Sequence, residues 1–133
     1  MEMDVTFPGG ARVDASFDGF AVKTDQSPEN GGEGSAPAPF ELFMASIGTC
    51  AGIYVLNFCR HRSIPAEDIH IRQRVELDPK THLARAINLE ILLPPDFPRK
   101  YARALVNMVK LCSVKKNIES PPVFDVEVRV VEE

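Results

Sequence analysis

The 133-residue chain has little cysteine: Cys50, Cys59 and Cys112. An odd number, widely spaced and without a Cys-x-x-Cys pair, excludes a disulfide-stapled scaffold. Basic charge is also scarce. Its 15 lysines and arginines are outnumbered by 19 acids, for a formal net charge of −4. That argues against a nucleic-acid-binding protein. Met1 to Val5 is acidic and polar, with no basic stretch ahead of an apolar run. A secretory leader is therefore not expected, and a cytoplasmic chain with reduced thiols is. No internal repeat of solenoid length is present. His61, His70 and His82 have no ligand spacing, and the cysteines lack zinc-site spacing, so no metal is expected. Gly31-Gly32-Glu33-Gly34 does not follow a strand–helix nucleotide pattern, and no Ser-His-Asp arrangement is visible.

What is there is ordinary globular composition, 44% hydrophobic and 26% charged, at the length of a single domain, 1–133. Val5 and Phe7 predict a first short strand, and Pro8-Gly9-Gly10 a turn. Val13, Ala15 and Phe17 alternate with polar residues as a half-buried strand. Asp18-Gly19 marks the next turn, and Phe20, Val22 and Thr24 a third strand. Asp25 to Pro39 has no periodicity and reads as a long loop, a kind of segment that is often functional. Phe40 to Arg62 reads as a helix, with Pro37 and Pro39 ahead of it, Glu41 in its first turn and Arg60-His61-Arg62 at its end. Ile69 to Leu77 and Arg85 to Leu92 alternate as a hairpin. A second helix is predicted from about Pro98 to Ile118, then a last strand carrying Phe124, Val126, Val128 and Val130. The order β-β-β-α-β-β-α-β gives an α+β class.

Leu42 to Cys59 holds 18 residues without a charge. That is near the length of a membrane span. However, Ser46, Thr49 and Asn57 interrupt it, and the flanking strands alternate as in a sheet protein. The reading adopted is a helix buried on nearly all sides, with no membrane. One small domain covers such a helix poorly, whereas a two-fold dimer covers it well. Gly48 and Gly52 would admit close packing against a neighbour.

Cys50 lies in the middle of this helix. Tyr101, Leu105, Met108 and Cys112 recur at helical spacing, so Cys112 falls on the apolar stripe of the second helix. Both thiols then point inward from different helices. Cys59 follows Cys50 by nine residues, about two and a half turns, and projects from the opposite side. It reads as a plain buried or half-buried thiol. Buried cysteine often serves as a small apolar side chain. Lys115 and Lys116, just after Cys112, offer the positive charge that favours a thiolate, and equally suit a helix C-terminus.

The stretch Ala38-Pro39-Phe40-Glu41-Leu42-Phe43-Met44-Ala45-Ser46-Ile47-Gly48-Thr49-Cys50 resembles the first cysteine segment of the OsmC/Ohr family. Leu111-Cys112-Ser113-Val114 resembles the family's second motif, in the form of its Cys-Ser-Val subgroup. The order of elements fits as well, so the resemblance covers nearly the whole chain. It implies an intertwined homodimer with two central helices enclosed by antiparallel sheets from both subunits. It also implies a thiol-dependent peroxidase acting on organic hydroperoxides. Cys50 would be the peroxidatic thiol and Cys112 the resolving one. No bound cofactor is implied, but an external dithiol or lipoyl-type reductant is.

The family's peroxidases hold the active cysteine as a thiolate with a glutamate and an arginine. That glutamate usually stands ten residues before the cysteine, where this chain has Phe40, with Glu41 one later. Glu41 is thus either the thiolate partner or a helix-dipole residue. Arg12 precedes the first helix as its sole arginine, and is either the other partner or a solvent-facing strand residue. An alternative function on the same scaffold is a non-catalytic protein holding a small apolar ligand at the dimer interface.

Overall fold

The structure, a computed structural model, describes residues 1–131. The last two residues of the expected 1–133 domain lie outside the described residues. The chain gathers into two compact units, Met1–Ser46 and Ile47–Glu133.

The first unit is built on an antiparallel meander: β1 (Asp4–Gly9), β2 (Arg12–Phe17) and β3 (Phe20–Thr24), in that sheet order. The β2–β3 turn is Asp18-Gly19, with φ of 46° and 80°. Two residues at positive φ give a turn whose twist matches that of the paired strands. Phe17 and Phe20 pair across its base with ring centroids 5.8 Å apart.

The following loop is not loose. Asp25 is 1% exposed, and its carboxylate accepts hydrogen bonds from the backbone of Gln26, Glu33 and Ser35 and from the Ser35 hydroxyl. These bonds hold the carboxyl down, from 3.8 to about 2, the Ser35 hydroxyl contributing most. Gly32 fits against this knot because it lacks a side chain: a Cβ there would fall 2.0 Å from the Gln26 carbonyl oxygen. A short 3₁₀ turn spans Pro28–Asn30.

The loop delivers the chain to α1 (Pro39–His61). Pro39 occupies the first helical position, where its missing N–H costs nothing. Glu41 reaches back, its Oε1 accepting from the Ala38 N–H at 3.0 Å, while Leu42 N–H donates to the Ala38 carbonyl at 3.1 Å. This is half of a capping box, supplied by the residue three positions into the helix. α1 is long and apolar enough to cross a membrane by length and composition alone. Part of it is buried within the chain, at Met44, Ile47, Ala51, Val55, Phe58 and Cys59.

The second unit holds the core. β4 (His70–Leu77) and β5 (Ala84–Leu92) form an antiparallel hairpin. Ile71 pairs with Ile91, Gln73 with Leu89 and Val75 with Ile87, so alternate residues share one face. Ile71, Leu89 and Ile91 pack against Ala51, Val55, Phe58 and Cys59 of α1 and Leu105 and Val109 of α2 (Ala102–Val109). The other face carries exposed ion pairs, Arg72 and Arg74 to Glu90 and Arg85 to Glu76. Gly48 admits the hairpin: a Cβ there would meet Gln73 Oε1 at 2.6 Å, whereas nothing approaches Gly52. At the end of α1 the Arg62 guanidinium lies 3.8 Å from the Phe58 ring centroid.

The α+β class and its antiparallel sheets are as the sequence predicts, with two differences. The helix expected over Pro98–Ile118 is broken. A 3₁₀ turn, Arg99–Tyr101, leads into α2, and a second helix, α3 (Ser113–Glu119), follows. Between them, Leu111 and Cys112 donate to the Met108 and Val109 carbonyls, three residues back, which closes α2 with tightened turns. Cys112 then adopts φ −50° and ψ 128°, extended backbone that redirects the chain. The expected last strand is also not formed: residues 121–131 pair with no strand. Phe124, Val126, Val128 and Val130 are 86–94% exposed. A strand exists through its ladder, and alternation alone does not supply one.

Candidate active site

The break between α2 and α3 shapes the thiol site. Cys112 lies there as the residue capping the start of α3, not near the end of a continuous helix as its spacing suggests. Its side chain is 2% exposed. Cys50 comes from the middle of α1 and is half-buried. The two thiols interact, and each shifts the other's ionisation, the Cys112 side chain pulling Cys50 down and Cys50 pushing Cys112 up. Both are free.

The turn places further donors on the Cys50 sulfur. The backbone N–H groups of Ser113 and Val114 bond to it, and the Ser113 hydroxyl oxygen lies 3.6 Å away. Burial by itself pushes the Cys50 thiol up. The Cys112 side chain, the Val114 and Ser113 N–H groups and the Ser113 hydroxyl outweigh it and bring the thiol below its usual range. Cys112 moves the other way. Burial pushes it up, and so does the neighbouring Cys50, which gains a donor for as long as Cys112 keeps its proton. The arrangement is one ionisable sulfur and one that holds its proton beside it.

Lys115 enters differently from the sequence reading. Its backbone N–H bonds to Cys112, while its ammonium pairs with Glu119 at 3.4 Å. The Lys115 N–H pulls the Cys112 thiol down, but burial and Cys50 outweigh it and the thiol stays above its usual range. Cys59 is fully buried and is pushed up by desolvation, which the Arg62 charge offsets only in part. His61, His70 and His82 are exposed.

Glu41 and Arg12 both belong to the first unit. Glu41 is exposed and engaged with the Ala38 N–H, while Arg12 begins β2, exposed, with its Nε donating to the Gly9 carbonyl at 3.2 Å. Arg12 also lines a small cavity of about 300 Å³ with Asp14, Lys23 and Ser35.

Beside Cys112 the second unit opens an apolar cavity of about 490 Å³. Ile47 of α1, Ile87, Leu89 and Ile91 of β5, and Val106 and Val109 of α2 line it, with Lys110, Lys115 and Glu119 supplying charge. Its size and apolar lining suit a small organic ligand.

Ser113 and the Val114 amide are the site groups that the spacing did not single out. No glycine or proline marks the end of α2, so the periodicity runs through the break. The signal for them lies in the Leu111-Cys112-Ser113-Val114 motif, which carries both residues without showing that the backbone turns there.

The fold and this site define an α+β protein with a paired-thiol centre at a helix break. Residues 32–127 match the family model described as OsmC-like protein. The chain belongs to that family. No match is found among curated proteins. Three solved structures illustrate the shared fold. A Psychrobacter arcticus protein, described as an osmotic stress induced and detoxification response protein, is 20% identical with a TM-score of 0.74, over 86% of this chain and 85% of that one. An organic hydroperoxide resistance protein OsmC from Legionella pneumophila is 23% identical with a TM-score of 0.54, over 89% of each chain. The organic hydroperoxide resistance protein OhrB of Bacillus subtilis is 20% identical with a TM-score of 0.51, over 88% of this chain and 90% of that one.

Proposed function

We propose that this protein is a thiol-dependent peroxidase that reduces organic hydroperoxides in the cytoplasm, working as a homodimer. The observation that carries the reading is that Cys50 of α1 lies against the turn holding Cys112, its sulfur 3.6 Å from the Ser113 hydroxyl oxygen, an arrangement that pulls the Cys50 thiol down and pushes Cys112 up. Two fold relatives are described as organic hydroperoxide resistance proteins, which supports it.

The chemistry balances with these two sulfurs and an external dithiol. The Cys50 thiolate attacks the terminal peroxide oxygen and the O–O bond breaks. The leaving alkoxide takes a proton and departs as alcohol, and Cys50 becomes a sulfenic acid. The Cys112 sulfur then attacks the Cys50 sulfur, its proton leaves with the hydroxyl as water, and a disulfide forms. A dithiol, such as a lipoyl-type reductant, exchanges with that disulfide, becomes oxidised and returns both thiols. The apolar cavity beside Cys112 suits the hydrocarbon end of the substrate. Glu41 and Arg12 remain candidates for supporting the thiolate.

Treating the reduced protein with an alkyl hydroperoxide should produce a Cys50–Cys112 disulfide by mass spectrometry. Peroxide should then be consumed catalytically once a dithiol is supplied. Cys50→Ser should abolish turnover. A wild-type protein that forms no such bond and consumes no peroxide would sink the reading.

The cavity favours a second reading, a non-catalytic protein that holds a small apolar ligand. Under it, a Cys50→Ser variant keeps full affinity for an apolar fluorescent probe, and the wild type turns over no peroxide.

A further inference from the structure

We propose that the Ser113 hydroxyl is a working part of the thiol site, donating a hydrogen bond to the Cys50 sulfur and holding it as the nucleophile. The inference rests on the reading of Cys50 as a reactive thiolate and adds a group to it. The Ser113 hydroxyl oxygen lies 3.6 Å from the Cys50 sulfur, and the Cys112 side chain and the Val114 and Ser113 N–H groups of the same turn also pull that thiol down. The two backbone N–H groups can only donate. Cys112, the titratable group facing Cys50, is pushed up and keeps its proton to give. A sulfur so surrounded is best satisfied as an acceptor, and a serine hydroxyl rotates to suit what it faces. With the Oγ at 3.6 Å, the hydroxyl is placed to give its hydrogen to a thiolate.

The bland role for a serine at the start of a helix is to cap it. That role is not the one seen. The cap position of α3 belongs to Cys112 and has no side-chain cap bond, and the Ser113 hydroxyl is directed to Cys50 instead. The residue is also fixed from behind, its carbonyl accepting from Asn117 Nδ2 at 2.8 Å. Its N–H and its hydroxyl therefore reach the same sulfur from an anchored backbone. Replacing the side chain leaves both backbone donors in place, so the hydroxyl can be tested alone.

The experiment follows Cys50 ionisation in the fully reduced protein. The rate of iodoacetamide alkylation is measured against pH, with the modified residue assigned by mass spectrometry. In Ser113→Ala the midpoint should move up by about one unit, and alkylation below it should slow about tenfold. Ser113→Thr should restore the wild-type midpoint. If Ser113→Ala does not fold, Ser113→Thr and Ser113→Val make the comparison, since they share a shape and differ in the hydroxyl. An unchanged midpoint in Ser113→Ala, or equal midpoints in the Thr and Val variants, overturns the proposal. Peroxide turnover is scored apart. A wild type without turnover removes the peroxidase reading, while the midpoints still decide the hydroxyl.

Discussion

Cys50, Cys59 and Cys112 share one unit, yet their sulfurs have different surroundings. Cys50 gathers hydrogen-bond donors that overcome its desolvation, whereas burial leads at the other two and carries them upward. The thiolate is the nucleophile, so the order of reactivity follows. In the native protein Cys50 should alkylate first, with a midpoint below the ordinary 9.0, and Cys112 should titrate above it. Cys59, with no exposed surface, should react only after denaturant is added. Site-resolved alkylation against pH checks this order, and a Cys59 that reacts as fast as Cys50 would refute it. Cys50 and Cys112 could be paired as candidates from the sequence because both fall inward on apolar helical positions. The turn at Cys112 that faces Cys50 could not be read, since helical spacing says nothing about where the backbone stops following it.

Among the elements, the Asp25 loop and α2 make opposite demands on the chain. The loop has no apolar periodicity and is held by one buried carboxylate. Asp25→Asn loses acceptor capacity toward Gln26, Glu33 and Ser35 and should lower the melting temperature by several degrees at pH 7. The pH window follows from the sign of the shift. The native carboxyl lies near 2 against 3.8 unfolded, so its stabilisation is complete above about pH 4 and fades as pH falls through about 2. The gap between wild type and Asp25→Asn should accordingly hold steady from pH 7 to about 4 and narrow below that, in melts followed by circular dichroism. α2 instead depends on Leu105, 1% exposed in the core. Leu105→Ala should cost about 2–5 kcal/mol in denaturant unfolding, because the cavity it leaves adds to the lost burial. The hairpin was legible because β4 and β5 alternate over most of their length, and period two leaves no second interpretation. Over Pro98–Ile118 the apolar stripe continues across two separate helices, so pattern alone joins what Cys112 divides.

For the whole molecule, the decisive quantity is apolar surface left without cover. Phe40, Phe43 and Ile53 of α1 are each close to half exposed, and Phe124, Val126, Val128 and Val130 are nearly fully exposed. Among the described residues the second unit's sheet has two strands, so β4 and β5 each keep an unpaired edge there. A segment that alternates like a strand, and a sheet with open edges, are complementary requirements. The uncharged run in α1 led the sequence to a two-fold dimer for a related reason. The C-terminal alternation was equally visible there, but a strand needs an edge, and sequence does not say which copy provides it. Pairing in a homodimer would meet both needs and cover the apolar residues. In light scattering, the full chain is therefore expected at twice its 14.7 kDa. A chain ending at Ser120, which loses that segment, should shift toward the monomer and bind more of a hydrophobic dye. In the full-length dimer, amides of residues 123–130 should be protected from hydrogen exchange. A full chain that stays monomeric at micromolar concentration, with those amides exchanging freely, would overturn the argument.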